Sequence, residues 1–233
     1  MDLSGNLIKS CICDNSRAFD SSIMNTLSVL QCKRCSVMHQ CVVMTEQEYE
    51  NYYTLEYDCK HNARQRYDHD LGVAKLRLDC YAGSIPSSGK LLDVGCNNGA
   101  FVDAALQAGY DAYGNELNPS IIGDRTYAGY LTSLGLEGSS FNVITLHDVL
   151  EHFVDPVANL TEIHRLMSPG GALVVDFPHF FVESGLHHWK PTEHLWLLSA
   201  IQLEQLLATC GFTKTKSYEP IPSKMVQIFT KFL

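Results

Sequence analysis

The apolar pattern changes period most clearly between Lys90 and Gly109. A short apolar run over 91–94 is followed by Gly95 and Gly99, and the next apolar positions recur at helical spacing. This order predicts a buried strand, a tight turn and a helix. Such a turn lets the backbone approach a ligand closely and points helix N–H groups toward an anion. The sequence therefore predicts a ligand site at this turn.

Two more strands are predicted after the glycine turn. Residues 112–117 form a short run that ends near Glu116, and residues 143–146 form a buried run that presents His147 and Asp148 at its carboxyl end. Strands that alternate with helices indicate an α/β fold with a mostly parallel sheet. In such sheets, ligands bind in the crevice at the carboxyl ends of the strands.

The chain closes with an amphipathic helix and two strands. The segment 199–212 has helical spacing, and we expect its helix to end at Gly211. Strand-like runs follow at 213–219 and 224–232.

The region before the glycine turn is predicted to be helical. Thr45 and Glu48 form a capping box, and four tyrosines recur at helical spacing over the following turns, at positions 49, 52, 53 and 57. The tyrosine stripe either packs against the main domain or forms a lid over the ligand site. A second apolar stripe, Leu71, Ala74, Leu78 and Tyr81, precedes the break SIPSSGK. We expect a segment over 1–45, a helical lid or linker over 46–85 and a catalytic domain over 86–233.

Composition narrows the function classes. The 233 residues are 45% hydrophobic and 18% charged, enough for one full core of roughly 150 residues with a small appendage. The net charge of −9 repels polyphosphate, and no basic run compensates, so we expect no nucleic-acid partner. We see neither an apolar run of transmembrane length nor a signal-peptide pattern. We expect a cytoplasmic protein that acts on a small molecule without a membrane partner; the oligomeric state stays open.

Cysteines cluster near the N-terminus. The chain has nine, an odd number that argues against a secreted disulfide framework. Cys11 and Cys13 form one close pair, and Cys32 and Cys35 form a second, CKRC. Paired thiolates at this separation indicate structural zinc, although the first pair is one residue tighter than a CxxC knuckle. Empty thiols, or a site completed by His39 or Cys41, are the alternatives.

The glycine turn carries a family resemblance. Its residues DVGCNNG, Asp93 to Gly99, resemble motif I of class I S-adenosylmethionine-dependent methyltransferases, usually DxGxGxG, with Asn97 in place of the middle glycine. Asn tolerates positive φ better than other non-glycine residues, so we expect the turn to survive. A dinucleotide site would need GxGxxG, and an acidic residue at the strand end opposes a pyrophosphate.

The resemblance implies a Rossmann-like, seven-stranded methyltransferase sheet that finishes with an antiparallel hairpin. It also implies that the turn holds the methionine part of S-adenosylmethionine and that Glu116 accepts the ribose hydroxyls. Tyr130 stands where relatives commonly have an aspartate that contacts adenine, so backbone groups or stacking would replace that contact. The cofactor-binding residues expected in this way are Asp93, Gly95, Cys96, Asn97, Gly99, Glu116, Leu117 and His147.

The predicted strand at 143–146 and the residues after it carry a further resemblance to the family. The segment FNVITLHDVLEH resembles the methyltransferase pattern FDVVxxxxVLEH. His147 stands one residue beyond the strand and is our candidate for contacting the cofactor. We interpret Asp148 and Glu151 as a capping arrangement for the next helix, with catalysis as the alternative, and His152 as a structural helix residue.

The last informative segment is rich in histidine. Four histidines lie between positions 179 and 194 together with Glu193, which suggests a metal site, but their spacing is irregular and lacks an HxH or HExxH pair. The sequence PTEHLWLLS instead resembles a loop of sugar methyltransferases that act on nucleotide-linked deoxysugars. The resemblance nominates His194 as general base and Glu193 as its partner, whereas Pro191 and Thr192 replace two other residues of that loop. Aromatic residues nearby, Phe180, Phe181 and Trp189, would favour a reaction that neutralises a sulfonium.

The Cys-rich start is similar to the zinc-ribbon-like segment on a subset of these sugar methyltransferases. We therefore expect methyl transfer by in-line displacement to a sugar or nucleotide-linked sugar. A non-catalytic module that binds S-adenosylmethionine and zinc is the first alternative. A nicotinamide-dependent oxidoreductase is the second.

Overall fold

A computed structural model gives the conformation of most of the chain. It describes residues 19–24, 27–32, 34–40, 44–57, 63–121, 123–180, 190, 193–221 and 224–231. Among the helices in these ranges, none combines the length and apolar character that a bilayer span requires.

The first part of the chain forms a small antiparallel sheet and two helical elements. The capping box predicted at Thr45 and Glu48 is confirmed: the Thr45 hydroxyl accepts from the Glu48 N–H, and the Glu48 carboxylate accepts from the Thr45 N–H. The elements are β1 (Phe19–Met24), β2 (Leu27–Cys32), β3 (Met38–Gln40), α1 (Glu46–Asn51), a π-helical turn (Tyr52–Glu56) and α2 (Tyr67–Tyr81).

The second part alternates strands and helices, as the apolar pattern predicts. Its elements are β4 (Lys90–Val94), α3 (Ala100–Gln107), β5 (Asp111–Glu116), β6 (Thr126–Ala128), β7 (Phe141–His147), α4 (Pro156–Leu166), β8 (Met167–Pro178), β9 (Trp196–Leu197), α5 (Ala200–Thr209), β10 (Phe212–Ile221) and β11 (Lys224–Lys231). Short 3₁₀ turns occupy Pro119–Ile121, Leu131–Ser133 and Leu150–His152.

Seven of these strands form one sheet in the order β10, β11, β8, β7, β4, β5, β6. The five strands from β8 to β6 are parallel, and β11 runs antiparallel to both of its neighbours. This confirms the expected Rossmann-like sheet with a C-terminal antiparallel hairpin. Chain order reverses between β4 and β7, which places the ligand crevice of such a sheet at their carboxyl ends.

Helices cover both faces of the sheet, and strand alternation sorts the side chains between them. Leu92, Val94 and Leu146 face the layer that contains α4 and α5. Leu91 and Val143, their neighbours in sequence, face α2 and α3. Both faces are closed by apolar packing, so the polar groups of the site are confined to the strand ends.

The small N-terminal sheet is joined to the main domain through β9. Its order is β1, β2, β3, β9, with His39 paired to Trp196 and Met38 to Leu197. The Gln40 N–H also donates to the Leu195 carbonyl at 2.9 Å. The strand that follows the His194 segment is therefore a member of the N-terminal sheet.

One local prediction is wrong. Asp148 and Glu151 do not cap the following helix: α4 begins after Asp155, whose carboxylate accepts from the Ala158 N–H at 2.9 Å. Leu150–His152 forms a separate 3₁₀ turn without a side-chain cap. The carboxylates of Asp148 and Glu151 are consequently available for other contacts.

Candidate active site

A cavity of about 400 Å³ lies at the carboxyl ends of β4, β5 and β7, within the size range of small-molecule sites. Four groups of residues enclose it. The glycine turn and the end of β5 form one wall, the tyrosines of α1 and the π-helical turn form a second, and the segment from Asp148 to Asn159 forms the third. Residues 129–133, which include Tyr130, form the fourth.

The glycine turn has the backbone conformation that its sequence predicts. Gly95 has φ of 70° and Asn97 has φ of 48°, so Asn97 does hold the left-handed conformation expected of it. A Cβ atom on Gly95 would lie 2.6 Å from the Val149 Cγ2 atom, too close for any side chain. Gly95 therefore lets the turn approach the segment that follows β7.

Glu116 fixes this turn to the end of β5. One carboxylate oxygen accepts from the Asn97 N–H at 3.0 Å, and the other accepts from the N–H groups of Leu117 and Asn118 at 2.7 and 2.9 Å. Burial raises the pKa of Glu116, and these three backbone donors oppose that shift. The carboxylate also lines the cavity, together with Gly95, Asn97 and Leu117.

Other residues expected to bind the cofactor lie elsewhere. Asp93 accepts from the Thr145 hydroxyl at 2.6 Å and is 3.1 Å from His147 Nδ1. All three side chains point to the face covered by α2 and α3, because they alternate with the residues that face the cavity. The structure thus places Asp93 and His147 away from the cavity. Binding of the cofactor by Asp93 and His147 stays a prediction.

Cys96 and Gly99 also lie outside the main cavity. The Cys96 side chain is buried against Gly114, where a Cβ atom would lie 2.3 Å from its sulfur. Gly99 borders a second cavity of about 640 Å³ on the other side of the turn, which Arg64 and Arg125 also line. The turn thus separates two cavities.

Tyrosines close the opposite wall and are also packed into the domain. Tyr49, Tyr53 and Tyr57 line the cavity, and Tyr49 is only 4% exposed. The Tyr49 hydroxyl donates to the His152 carbonyl, and the Tyr53 hydroxyl lies 2.7 Å from His152 Nδ1. Burial raises the pKa of these tyrosines, so their hydroxyls stay protonated.

Glu151, His152 and His194 meet at the third wall. Each offers one side-chain ligand atom, and these atoms lie within 4.8 Å of one another. His152 lines the cavity, and its ring packs edge-on against the His194 ring with centroids 4.9 Å apart. The Leu195 N–H donates to the Glu151 carbonyl at 2.7 Å, which fixes the His194 segment against the 3₁₀ turn.

Burial sets the protonation of this cluster. It raises the pKa of Glu151 to about 8, with a further contribution from the nearby Asp148. It lowers the pKa of His152 to about 4 and that of His194 to about 2. Both imidazoles are therefore neutral at pH 7, each with a lone pair on one ring nitrogen.

Asp148 is held by two cations. It has a positive φ of 56° and forms ion pairs with Lys224 and, at 3.5 Å, with Arg77. Burial alone would raise its pKa, but these two cations lower it, so Asp148 stays ionised. Arg77 also pairs with Asp176 at 2.6 Å.

The two residues nominated for catalysis are both buried beside the cavity. Glu193 accepts from the Tyr52 hydroxyl at 2.5 Å and lies 3.5 Å from the Lys190 ammonium. The His194 ring contacts the Phe180 ring at a centroid distance of 5.5 Å. Phe181, Trp189, Pro191 and Thr192 lie outside the described residues.

Sequence reasoning did not predict the surroundings of Glu151 and His152. His152 belongs to a 3₁₀ turn and not to the helix expected there, and it lines the cavity. The signal available was its position five residues beyond a strand end that faces the crevice. Its tyrosine partner is 99 residues away in sequence, and no local pattern predicts that contact.

The proposed zinc ligands are described only in part. Cys11 and Cys13 lie outside the described residues. Cys32 and Cys35 lie at the turn between β2 and β3, where the Ser36 N–H donates to the Cys32 carbonyl at 2.9 Å. His39 is buried on β3, with its ring centroid 5.3 Å from that of Trp196.

Comparison with known proteins gives relatives of one kind. A ubiquinone biosynthesis O-methyltransferase of Methylococcus capsulatus is 30% identical over 99 residues, which cover 36% of this chain and 41% of that protein. The same enzyme of Xanthomonas oryzae pv. oryzae is 25% identical over 168 residues, 56% of this chain and 70% of that protein. The chain thus spans less than half of the first relative.

Solved structures support the fold. A SAM-dependent methyltransferase from Archaeoglobus fulgidus superposes with a TM-score of 0.59 at 17% identity, covering 69% of this chain and 94% of that one. The sequence model of the family described as methyltransferase domain matches residues 61–217, about two thirds of the chain. The chain therefore belongs to the methyltransferase domain family and has the Rossmann-like fold of S-adenosylmethionine-dependent methyltransferases.

Proposed function

We propose that the protein transfers a methyl group from S-adenosylmethionine to a hydroxyl group of a small-molecule acceptor. The observation that carries this proposal is the cavity itself. One wall presents the glycine turn and the Glu116 carboxylate, and another presents His152, whose ring packs against that of buried His194. Glu116 would accept the ribose hydroxyls, and the methyl group would lie between the two walls.

The chemistry is an in-line displacement. The acceptor oxygen forms a bond to the methyl carbon while the bond from carbon to sulfur breaks, and the electron pair returns to sulfur to give S-adenosylhomocysteine. Positioning supplies most of the acceleration, with both reactants held about 3 Å apart in line. In this proposal the proton of the acceptor hydroxyl passes to the neutral imidazole of His194. Glu193, bonded to Tyr52, positions that segment.

The acceptor we propose is a sugar or nucleotide-linked sugar, on the strength of the Glu193 and His194 pair. A phenolic ring is the second candidate, since two relatives of this chain are described as O-methyltransferases of ubiquinone biosynthesis. The wall formed by Tyr53 and Tyr57, whose rings stack 5.2 Å apart, offers a flat aromatic surface to either kind of ring.

Two measurements on the full chain test the function. Calorimetry with S-adenosylhomocysteine is expected to show binding. Transfer of labelled methyl groups from S-adenosylmethionine to a panel of sugar nucleotides and of dihydroxybenzenes is expected to identify the acceptor class. Binding without transfer to either class would favour a non-catalytic module, and absence of cofactor binding would refute the proposal.

His194→Ala tests the proposed base. We expect turnover of the identified acceptor to fall by about 100-fold or more while the affinity for S-adenosylhomocysteine stays within about threefold. Unchanged turnover would remove His194 from catalysis.

We further propose that Cys11, Cys13, Cys32 and Cys35 bind structural zinc. The described half of this set supports it, because Cys32 and Cys35 lie on the same tight turn. Purified protein is expected to contain one zinc ion that Cys32→Ser removes. A zinc content at background would refute the proposal.

A further inference from the structure

We propose that Glu151, His152 and His194 bind a divalent transition-metal ion at the inner end of the cavity. Ion binding itself does not depend on the function proposed above. Only the catalytic consequence of the ion rests on that function.

The carboxyl group of Glu151 is the strongest indication. It is 2% exposed, and neither of its oxygens has a hydrogen-bond partner among the described residues. Burying a carboxyl group without partners costs several kcal/mol, and native proteins rarely leave one so. His194 is 4% exposed, and its Nδ1 atom likewise has no hydrogen-bond partner within the described ranges. Two unpartnered buried groups therefore meet at one point.

The geometry brings a third donor to the same point. Ligand atoms of the three residues lie within 4.8 Å of one another, and His152 Nε2 is 4.0 Å from a Glu151 oxygen. Two donors on one ion are about 3 to 3.5 Å apart at ordinary bond lengths. The most distant of the three ligand atoms would have to move toward one another by about 1 to 2 Å, a movement that side-chain torsions can supply.

His152 is already oriented for such a role. Its Nδ1 atom is 2.7 Å from the Tyr53 hydroxyl. In the tautomer that the proposed site uses, Nδ1–H donates to this hydroxyl and Nε2 keeps a lone pair for the ion. Metal-binding histidines commonly use their second ring nitrogen in this way, and the partner fixes both ring orientation and tautomer. Tyr53 is therefore a positioning residue for the proposed site.

Burial and the Asp148 charge raise the pKa of Glu151 to about 8, so an ion that binds there would displace the carboxyl proton. The adjacent carboxylate of Asp148 is paired with Lys224 and Arg77, and the Lys190 ammonium lies 3.5 Å from Glu193. The cations around the cluster are thus already opposed by other carboxylates.

The donor set selects the ion. Two imidazoles and one carboxylate suit Mn²⁺, Fe²⁺, Co²⁺ or Zn²⁺, and such a set leaves coordination positions open. Because His152 lines the cavity, these positions are accessible from the acceptor side. A bound acceptor hydroxyl would lose its proton to water more easily, as metal-bound oxygens do. In that case His194 acts as a ligand and not as the base.

Mn²⁺ is the probe that separates this site from the cysteine segment, because thiolates favour softer ions. Metal-stripped full-length protein is titrated with Mn²⁺ and free ion is measured by electron paramagnetic resonance. We expect one tight site, weakened about 100-fold or more in Glu151→Gln and about 10- to 100-fold in Tyr53→Phe. Glu137→Gln removes an exposed carboxylate and should bind Mn²⁺ like the wild type.

Folding and function are checked separately. A Glu151→Gln protein that still binds S-adenosylhomocysteine like the wild type is folded, so loss of Mn²⁺ binding would then be specific. Tight Mn²⁺ binding without methyl transfer would support the ion site and contradict the proposed function. Methyl transfer by stripped protein that binds no Mn²⁺, or equal Mn²⁺ affinity in Glu151→Gln, would overturn the ion site.

Discussion

Glu116→Gln tests the proposed cofactor contact at the wall formed by Glu116 and the glycine turn. The substitution keeps the shape of the side chain and changes only its charge and one hydrogen-bonding atom. One Glu116 oxygen accepts two N–H groups, from Leu117 and Asn118, and the other accepts only the Asn97 N–H. The amide oxygen of a glutamine would keep the two donors. Its NH₂ group would then face the Asn97 N–H, donor against donor.

The expected loss follows from these contacts. Hydrogen bonds to a charged group contribute about 1.5–3 kcal/mol, and the substitution removes one that fixes the glycine turn and weakens the one proposed to the ribose. If one such contribution is lost from binding, affinity falls roughly 10- to 150-fold. Calorimetry with S-adenosylhomocysteine measures this directly, and thermal unfolding shows whether the turn is destabilised as well.

Glu137→Gln is the matched control, since it removes the same charge from an exposed position. We expect its affinity for S-adenosylhomocysteine to equal that of the wild type. If Glu116→Gln also binds within about threefold of the wild type, the carboxylate does not hold the cofactor and the proposed orientation of the ribose is wrong.

Two further substitutions test the turn and the tyrosine wall. Asn97→Val places a β-branched residue at φ of 48°, which should lower the free energy of unfolding by roughly 1–2 kcal/mol and weaken cofactor binding. Asn97→Gly should do neither. Urea unfolding and calorimetry measure the two effects, and equal stability of the two variants would contradict the argument. Tyr52→Phe removes the 2.5 Å hydrogen bond to buried Glu193 and should lower the free energy of unfolding in urea by about 1.5–3 kcal/mol. The control Tyr127→Phe changes a half-buried ring that stacks on Tyr113 and should lower it by less than about 0.5 kcal/mol. Similar losses in both variants would show that the Glu193 contact is unimportant.

The fold, the conformation of the glycine turn and the position of Glu116 beside it could be predicted because their signals are local in sequence. A strand, a glycine turn and a helix occupy the 18 positions from Lys90 to Gln107, and the left-handed conformation of Asn97 follows from its residue type. Glu116 is one strand further on. Patterns of this length determine local structure directly.

The polar cluster could not be predicted because its members meet only through tertiary packing. The 3₁₀ turn that carries Glu151 and His152 ends 42 positions before His194, since 194 − 152 is 42, and the Tyr53 partner lies 99 residues away. The directions of the Asp93 and His147 side chains are set by strand alternation. A one-residue difference in register moves a side chain to the other face of the sheet, so sequence position near a strand end does not decide whether a residue faces the cavity.

The polar cluster of Glu151, His152 and His194 depends on α1, the π-helical turn and the small N-terminal sheet. Tyr49 and Tyr53 bond to the backbone and the ring of His152, and Tyr52 bonds to Glu193. The segment after His194 pairs with β3, so the small sheet and α1 hold the same segment from two sides. Glu116 bonds instead to the backbone of the glycine turn and of the residues after β5. Asn98 of the turn donates to the Ala63 carbonyl at 2.7 Å and to the Asp70 carboxylate in α2 at 2.9 Å. The two walls are therefore stabilised by different segments, and displacing α1 would disrupt the polar cluster while leaving the Glu116 contacts in place.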